Sequence, residues 1–238
     1  MSAHPRSRKA NTKPRTQDYG EACPISKAVM LLGERWTIPI IREMMMGADR
    51  FSELQKLMPR LSPSLLSARL KSLEDSGIIF KRRIPEQRGY AYHLTAAGKA
   101  LQPMMMELGK WGMRFAFNEV RDSDLNAYTI LRDIAVKLKH DELPDGDFIM
   151  QFTLTDLPPD SRVYFIPVRD GKGFVCDQNP GHEIDVYIVS DTRTLTELWY
   201  GRTSINAAKQ IGTFRIAGLP AYTRHVSRWF PVSVFTEK

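Results

Sequence analysis

The chain has 238 residues, 42% of them hydrophobic and 26% charged, with a formal net charge of +7. This length holds one large domain or two ordinary ones, and the composition is that of a soluble globular protein. No apolar run approaches the ~18–20 residues of a membrane span, and two cysteines, Cys23 and Cys176, are too few and too far apart for a disulfide scaffold.

The charge is uneven. Residues 1–121 carry 21 Lys+Arg against 11 Asp+Glu, whereas residues 122–238 carry 13 against 16. A basic first half beside a slightly acidic second half points to a polyanionic partner for the first half only. A membrane surface is the competing polyanion, but no basic amphipathic helix with a broad apolar face supports it.

Residues 1–16 are polar and basic, with prolines and no periodicity. They read as a disordered arm, either a source of non-specific phosphate contacts or simply a solvated tail. The basic N-terminus lacks the apolar core of a signal peptide, so a cytoplasmic location is expected. The ordered part begins at Cys23-Pro24. A helix is expected over Ile25–Leu32, stopped by Gly33, and another over Trp36–Met46, stopped by Gly47. Met44, Met45 and Met46 read as core filling rather than a metal or redox site.

The segment from Arg50 to Tyr92 organises the chain. Phe51, Leu54 and Leu57 fall at helical spacing before Pro59 ends the helix. Ser62-Pro63 opens a second helix, with serine as N-cap and proline at the first helical position. It runs to about Gly77 and packs by Leu65, Leu66, Leu70 and Leu73. Ser64, Ser67, Arg69 and Lys71 lie away from the centre of that face. Ile78–Arg83 and Tyr90–Leu94 have strand character, joined by a turn over Pro85–Gly89. A helix pair followed by a basic hairpin is the winged form of the DNA-binding helix-turn-helix. Candidate DNA contacts are Ser62, Ser64, Ser67, Arg69 and Lys71 on the second helix and Arg82, Arg83 and Arg88 on the wing. For Arg69 and Lys71 the bland reading is a solvated helix face. Their place between a capped turn and a basic hairpin favours DNA. Ser62 is chiefly a cap, and basic residues on a strand edge also block aggregation.

Thr95 caps a long helix expected to reach about Val120, with Pro103 placed to kink it. Its Leu101, Met104, Met105, Leu108, Trp111, Met113 and Phe115 offer more apolar surface than a three-helix core uses. The surplus calls for a second copy or for docking on the C-terminal half. The boundary is placed at 121/122. Beyond it, a helix over Tyr128–Lys139 precedes expected strands at Phe148–Leu154, Arg162–Val168, Asp185–Val189 and Gly212–Ile216. Helices are expected at Thr192–Trp199, Ser204–Gln210 and Arg224–Phe230. The fold class is α+β, with a mostly antiparallel sheet in the second domain.

Residues 23–112 resemble the HxlR-type transcriptional regulators. The resemblance rests on Cys23-Pro24, Gly33-Glu34-Arg35-Trp36-Thr37, Arg42-Glu43, Arg50-Phe51-Ser52-Glu53-Leu54, the run Leu61–Lys71, Gly77, Tyr92-His93-Leu94-Thr95, Gly98 and Leu108–Gly112. It implies a homodimeric winged-helix protein that binds double-stranded DNA, commonly as a repressor, pairing through its N-terminal helix and the Thr95–Val120 helix. Some members of that family use a cysteine at the Cys23 position to sense electrophiles or oxidants. Here a reactive thiol and a small buried hydrophobe are equally open readings.

Residues 125–238 resemble, more weakly, the sterol-carrier-protein type of domain, through Asp185–Asp191, Leu198-Trp199-Tyr200-Gly201, Gly212–Gly218 and Trp229-Phe230. That resemblance implies a five-stranded sheet and helices around a cavity for a small apolar ligand. Phe148, Phe152, Tyr164, Phe165, Tyr187, Trp199 and Phe214 are the candidate lining. About half of them are expected to be core instead.

Enzyme chemistry finds no constellation. The chain has no Walker A loop, GxGxxG or G-x-S-x-G. Cys176, His182, Glu183 and Asp185 match no standard zinc spacing, so neither metal nor cofactor is expected, and His93 reads as structural. The competing function is a hydrophobic-ligand carrier whose basic half is an accessory nucleic-acid-binding module.

Overall fold

The computed structural model describes residues 19–85 and 88–236; the arm expected over residues 1–16 lies outside them. The N-terminal half is helical. Helix α1 spans Pro24–Leu32, α2 Thr37–Met45, α3 Phe51–Leu57 and α4 Pro63–Asp75. Strands β1 (Ile79–Arg83) and β2 (Tyr90–Leu94) follow as an antiparallel hairpin, registered from Ile79 opposite Leu94 to Arg83 opposite Tyr90. Arg50 bridges to Ala91, which ties the start of α3 to the hairpin. Ile40, Ile41, Leu54, Leu61 and Leu66 are completely buried in the core these elements share.

The junction between α4 and the hairpin is tightly specified. Gly77 has φ +70°, a backbone conformation that glycine adopts without strain. Its N–H donates to the Glu74 carbonyl, and the Ile78 N–H reaches Leu73. The Thr95 hydroxyl lies 2.7 Å from the Gly77 carbonyl and accepts the Gly98 N–H at 3.1 Å. Gly98 is needed because a Cβ there would meet the Ile78 carbonyl oxygen at 2.3 Å.

The long helix expected from Thr95 to Val120 is instead two: α5 (Ala96–Lys99) and α6 (Gln102–Phe115). Pro103 breaks it rather than kinks it. Proline has no N–H to donate, and its ring clashes with the carbonyl four residues back, which is Lys99. Nor does α6 reach Val120. The carbonyls of Phe117 and Asn118 are taken by the Arg202 guanidinium from the other half of the chain, and Phe117 stacks on Tyr200 at 4.6 Å.

The second half follows the order α7 (Ala127–Lys137), β3 (Phe148–Leu154), β4 (Val163–Arg169), β5 (Lys172–Gly173), β6 (Val186–Ser190), α8 (Thr192–Trp199), α9 (Ile205–Gln210) and β7 (Phe214–Gly218). Helices α10 (Pro220–Thr223) and α11 (Val226–Trp229) close it, where one helix over Arg224–Phe230 was expected. The sheet order is β5-β4-β3-β6-β7; β3 and β6 run parallel and the other neighbours antiparallel. The two-residue side-chain period sends Phe148, Met150, Phe152, Leu154, Ile166, Val168, Ile188 and Phe214 to one face. There they form a single core with Leu131, Ile134, Leu195, Leu198, Trp199 and Trp229 of the helices.

Helix α7 belongs to both halves. Ile130, Leu131 and Ile134 enter the C-terminal core, while Tyr128 packs on the N-terminal one. The boundary at 121/122 therefore falls in connecting chain, but the halves are not merely tethered. A buried four-charge network joins them. Glu43 of α2 pairs with both Arg42 and Arg132, Arg42 donates to Asp133 at 2.6 Å, and Arg132 lies 3.0 Å from Asp133. Two positive and two negative charges balance there. The side chains of Glu43, Arg132 and Asp133 are no more than 4% exposed. Burial opposes the charge on Arg42, but Glu43 and Asp133 outweigh it and raise its pKa above the ordinary arginine value.

Candidate nucleic-acid interface

Helix α4 is presented by α3 and a short turn. The Gln55 amide donates to the Leu61 carbonyl at 2.6 Å, and Leu61 is buried beneath it. The Ser62 hydroxyl accepts the Leu65 N–H at 3.3 Å, the N-cap that the Ser-Pro pair predicts. The buried face is Leu66, Leu70 and Leu73. Opposite it, Ser64, Ala68, Lys71 and Asp75 form an exposed stripe at helical spacing, flanked by the exposed Ser67 and Ser72. Lys71 is 73% exposed and, among the described residues, pairs only with Asp75, one turn on, at 3.1 Å. Exposed pairs of this kind are worth ~0.3–0.5 kcal/mol, so Lys71 is easily recruited elsewhere.

Arg69 sits differently from the sequence reading. It flanks the buried face, one position before Leu70. Its guanidinium pairs with Glu34, and its Nε donates to the Arg35 carbonyl at 3.0 Å. Arg69 thus fastens α4 to the turn between α1 and α2 instead of standing free beside Lys71. Residue spacing placed it off the leucine face but did not show that Glu34 lies within reach. Ala68 and Ser72 are exposed as well, on the side where the 3.6-residue period places both.

The hairpin carries cations outward. Arg82, Arg83 and Arg88 are exposed, and among the described residues none of them has a carboxylate partner. Lys81 is engaged: it pairs with Glu74 at 3.1 Å and lies over the Tyr90 ring. Residues 86 and 87 of the turn lie outside the described residues. The exposed stripe of α4 and the wing arginines belong to one frame, because Ile78 and Ile79 lead from α4 into β1 and are themselves buried in its core.

Cys23 is the residue before α1 and half-buried. The backbone N–H groups of Ser26 and Ile25 hold its thiol below the ordinary value, with a smaller contribution from the Ser26 hydroxyl. Burial pushes the Cys176 thiol the other way.

The aromatics proposed to line a C-terminal cavity divide by strand face. Phe152 and Phe214 are completely buried and Phe148 nearly so, and they fill the core between sheet and helices. Tyr164 packs against that core from its margin. Phe165 and Tyr187 stand on the opposite face, both registered beside Gln151, and Tyr187 is exposed. Alternation therefore prevents these two from sharing a cavity with Phe148 and Phe152. Trp199 alone of the seven reaches the cavity between the two halves. Among the described residues no group of three or more His, Cys, Asp and Glu is placed to hold a metal ion, and no helix is long and apolar enough to cross a membrane.

The family model described as HxlR-like helix-turn-helix matches residues 31–120. The uncharacterised HTH-type transcriptional regulator YvaP of Bacillus subtilis is 43% identical over 96 residues, covering 40% of this chain and 89% of that protein. The HTH-type transcriptional regulator YodB of the same organism is 38% identical over 95 residues, covering 39% of this chain and 85% of YodB. The solved reduced form of YodB aligns with a TM-score of 0.37 at 35% identity, over 42% of this chain and all of that one.

Proposed function

The chain belongs to the HxlR-like helix-turn-helix family, and from that premise we propose that it is a transcriptional regulator that binds double-stranded DNA as a homodimer. The observation that carries this reading is the exposed Ser64–Ala68–Lys71 stripe of α4 beside a wing whose Arg82, Arg83 and Arg88 have no carboxylate partner among the described residues. Helix α4 enters the major groove, where serine hydroxyls and Lys71 meet base edges and the Ala68 methyl meets a thymine methyl. Ser62 contributes as the cap that sets the entry of the helix. The wing arginines meet phosphate. Arg69 holds the helix in place and reaches DNA only by releasing Glu34. The carrier reading is set aside, because the part of the chain matched to regulators is the part that builds this stripe and wing.

Dimerisation follows from α6 and α1. Met104, Leu108, Trp111 and Phe115 recur at helical spacing and are all more than 40% exposed; Ile25, Val29 and Leu31 of α1 are exposed as well. Two apolar faces of this size on the DNA-binding half fit a second copy. The C-terminal half is read as a domain of the sterol-carrier-protein type that makes DNA binding responsive to a small ligand. Its five strands and the helices gathered on one sheet face support that reading.

Fluorescence anisotropy of the purified protein tests the proposal, using duplexes from its own upstream intergenic region and a shuffled control near physiological salt. Preference of ~10³-fold or more is expected. Equal, weak affinity for every duplex would return the carrier reading to first place.

A further inference from the structure

The C-terminal aromatic core is filled, but the seam between the two halves is not. A cavity of about 360 Å³ lies there. Helix α2 contributes Arg42 and Met45, with Met46 just after it. Helix α6 contributes Gln102, Met105 and Met106. The C-terminal half closes it with Lys137, Trp199, Tyr200 and the tail residues Ser233, Val234 and Phe235. The volume lies at the lower end of ligand pockets, ~300–1,000 Å³.

Its chemistry is specific in two respects. The walls are four methionines with aromatic rings, a soft and adaptable apolar lining. The charged lining residues are both cationic, Arg42 and Lys137, and among the described residues no Asp or Glu lines the cavity. Arg42 is already engaged by Glu43 and Asp133. Lys137 is exposed and has no acidic partner among the described residues. An occupant that leaves the Lys137 charge unanswered forgoes the main polar interaction on offer. An apolar body with one carboxylate satisfies both the lining and the lysine.

The tail makes this a built pocket. The Ser233 N–H donates to the Trp199 carbonyl at 2.7 Å. Phe235 lies so close to Gly109 of α6 that a Cβ at Gly109 would fall 2.3 Å from its ring. The absence of a side chain at Gly109 is thus what lets the tail pack against the helix at the cavity wall.

We propose that this cavity binds a small apolar monocarboxylic acid, with its chain among Met45, Met46, Met105 and Met106 and its carboxylate at Lys137. The site touches α2, α6 and the Arg42–Asp133 contact together, so occupancy is felt by the DNA-binding half and by the apolar helix face. That effect on DNA rests on the regulator reading above; the binding does not.

The test is a titration of full-length protein, labelled with [13C-methyl]methionine, with decanoate and with decan-1-ol. Assignments come from single Met→Leu variants. The expected result is a saturable shift of the Met45, Met46, Met105 and Met106 methyl signals, with the core residue Met150 unmoved, and at least ten-fold tighter binding of the acid. Lys137→Gln should abolish the preference for acid while leaving alcohol binding unchanged. Gly109→Ala, which displaces Phe235, should weaken both at least ten-fold, with an unchanged far-ultraviolet dichroism spectrum showing that the fold persists. Methyl signals that do not saturate, or equal affinity for acid and alcohol in the parent protein, would overturn the proposal. Neither outcome involves DNA, so failure here is distinguishable from failure of the regulator reading.

Discussion

Neighbouring cations on α4 have opposite tasks. Lys71 points to solvent and spends its charge on a weak pair with Asp75, whereas Arg69 is fastened to Glu34 and Arg35. Replacing Lys71 with Ala should leave stability within ~0.5 kcal/mol of the parent, as surface substitutions usually do, and weaken specific DNA binding. Replacing Arg69 with Ala should lower the melting temperature as well, because a cap on the α1–α2 turn is lost. Paired thermal melts and anisotropy titrations separate the two. Equal melting temperatures would mean that the Glu34 contact has no structural role. A second pair of residues contrasts chemically. The thiol of Cys23 is held below its ordinary value by helix N–H groups and that of Cys176 is raised by burial. A lower pKa means more thiolate at neutral pH, so iodoacetamide at pH 7 should label Cys23 first. Peptide mapping of the alkylated protein reads the order, and faster labelling of Cys176 would contradict it. Glu43 carries the largest single-residue expectation. Glu43→Gln leaves Arg132 buried beside a single carboxylate, and breaking a buried pair in this way costs ~3–5 kcal/mol. Chemical denaturation should show a loss of that order.

At the scale of elements, local chemistry explains which parts were legible in the sequence. Ser62-Pro63, Gly77 and Thr95–Gly98 each specify one structural event through their own backbone or cap, and the structure places those events at those residues. The strands of the second half were equally readable, because β-branched and aromatic alternation is a local signal. What failed depended on distant partners. The end of α6 is set by Arg202, eighty-odd positions away, and the position of Arg69 by Glu34. The division of the candidate cavity aromatics between core and lining, about half of them expected in the core, is not legible one by one: composition counts aromatic rings, but only strand register tells which face of the sheet each one takes. The interdomain cavity was invisible because its lining comes from five separate stretches of chain. The unburied stripe of α6 gives the prediction at this scale. Trp111→Arg, at a residue 57% exposed in the single chain, should leave the fold intact and convert a dimer to a monomer in analytical ultracentrifugation. A sedimentation coefficient unchanged from the parent would remove α6 from the interface.

The whole molecule couples two cores through α7, the four-charge cluster and the C-terminal tail. The DNA-binding frame ends in connecting chain that the second half grips, through Arg193 on the Val120 carbonyl and Arg202 on the carbonyls of Phe117 and Asn118. A change in the C-terminal half therefore reaches α6 directly rather than through a loose linker. The ligand control proposed above would have a physical route in that contact, its size limited to the ligand's differential affinity for the two arrangements. Charge acts at the same scale. Binding should weaken with salt, and each of Arg82, Arg83 and Arg88 replaced by Ala should reduce the slope of log affinity against log salt by about one.

The most direct test of sequence-specific recognition by α4 is selection of bound duplexes from a random pool, followed by anisotropy on the enriched sequence. A homodimer of this chain should enrich a pseudo-palindrome with half-sites one helical turn apart or a multiple of it, ~10–10.5 base pairs. Lys71→Ala should lose much of the preference for that site over random DNA. Recovery of no common sequence, with only salt-sensitive binding to every duplex, would contradict the account.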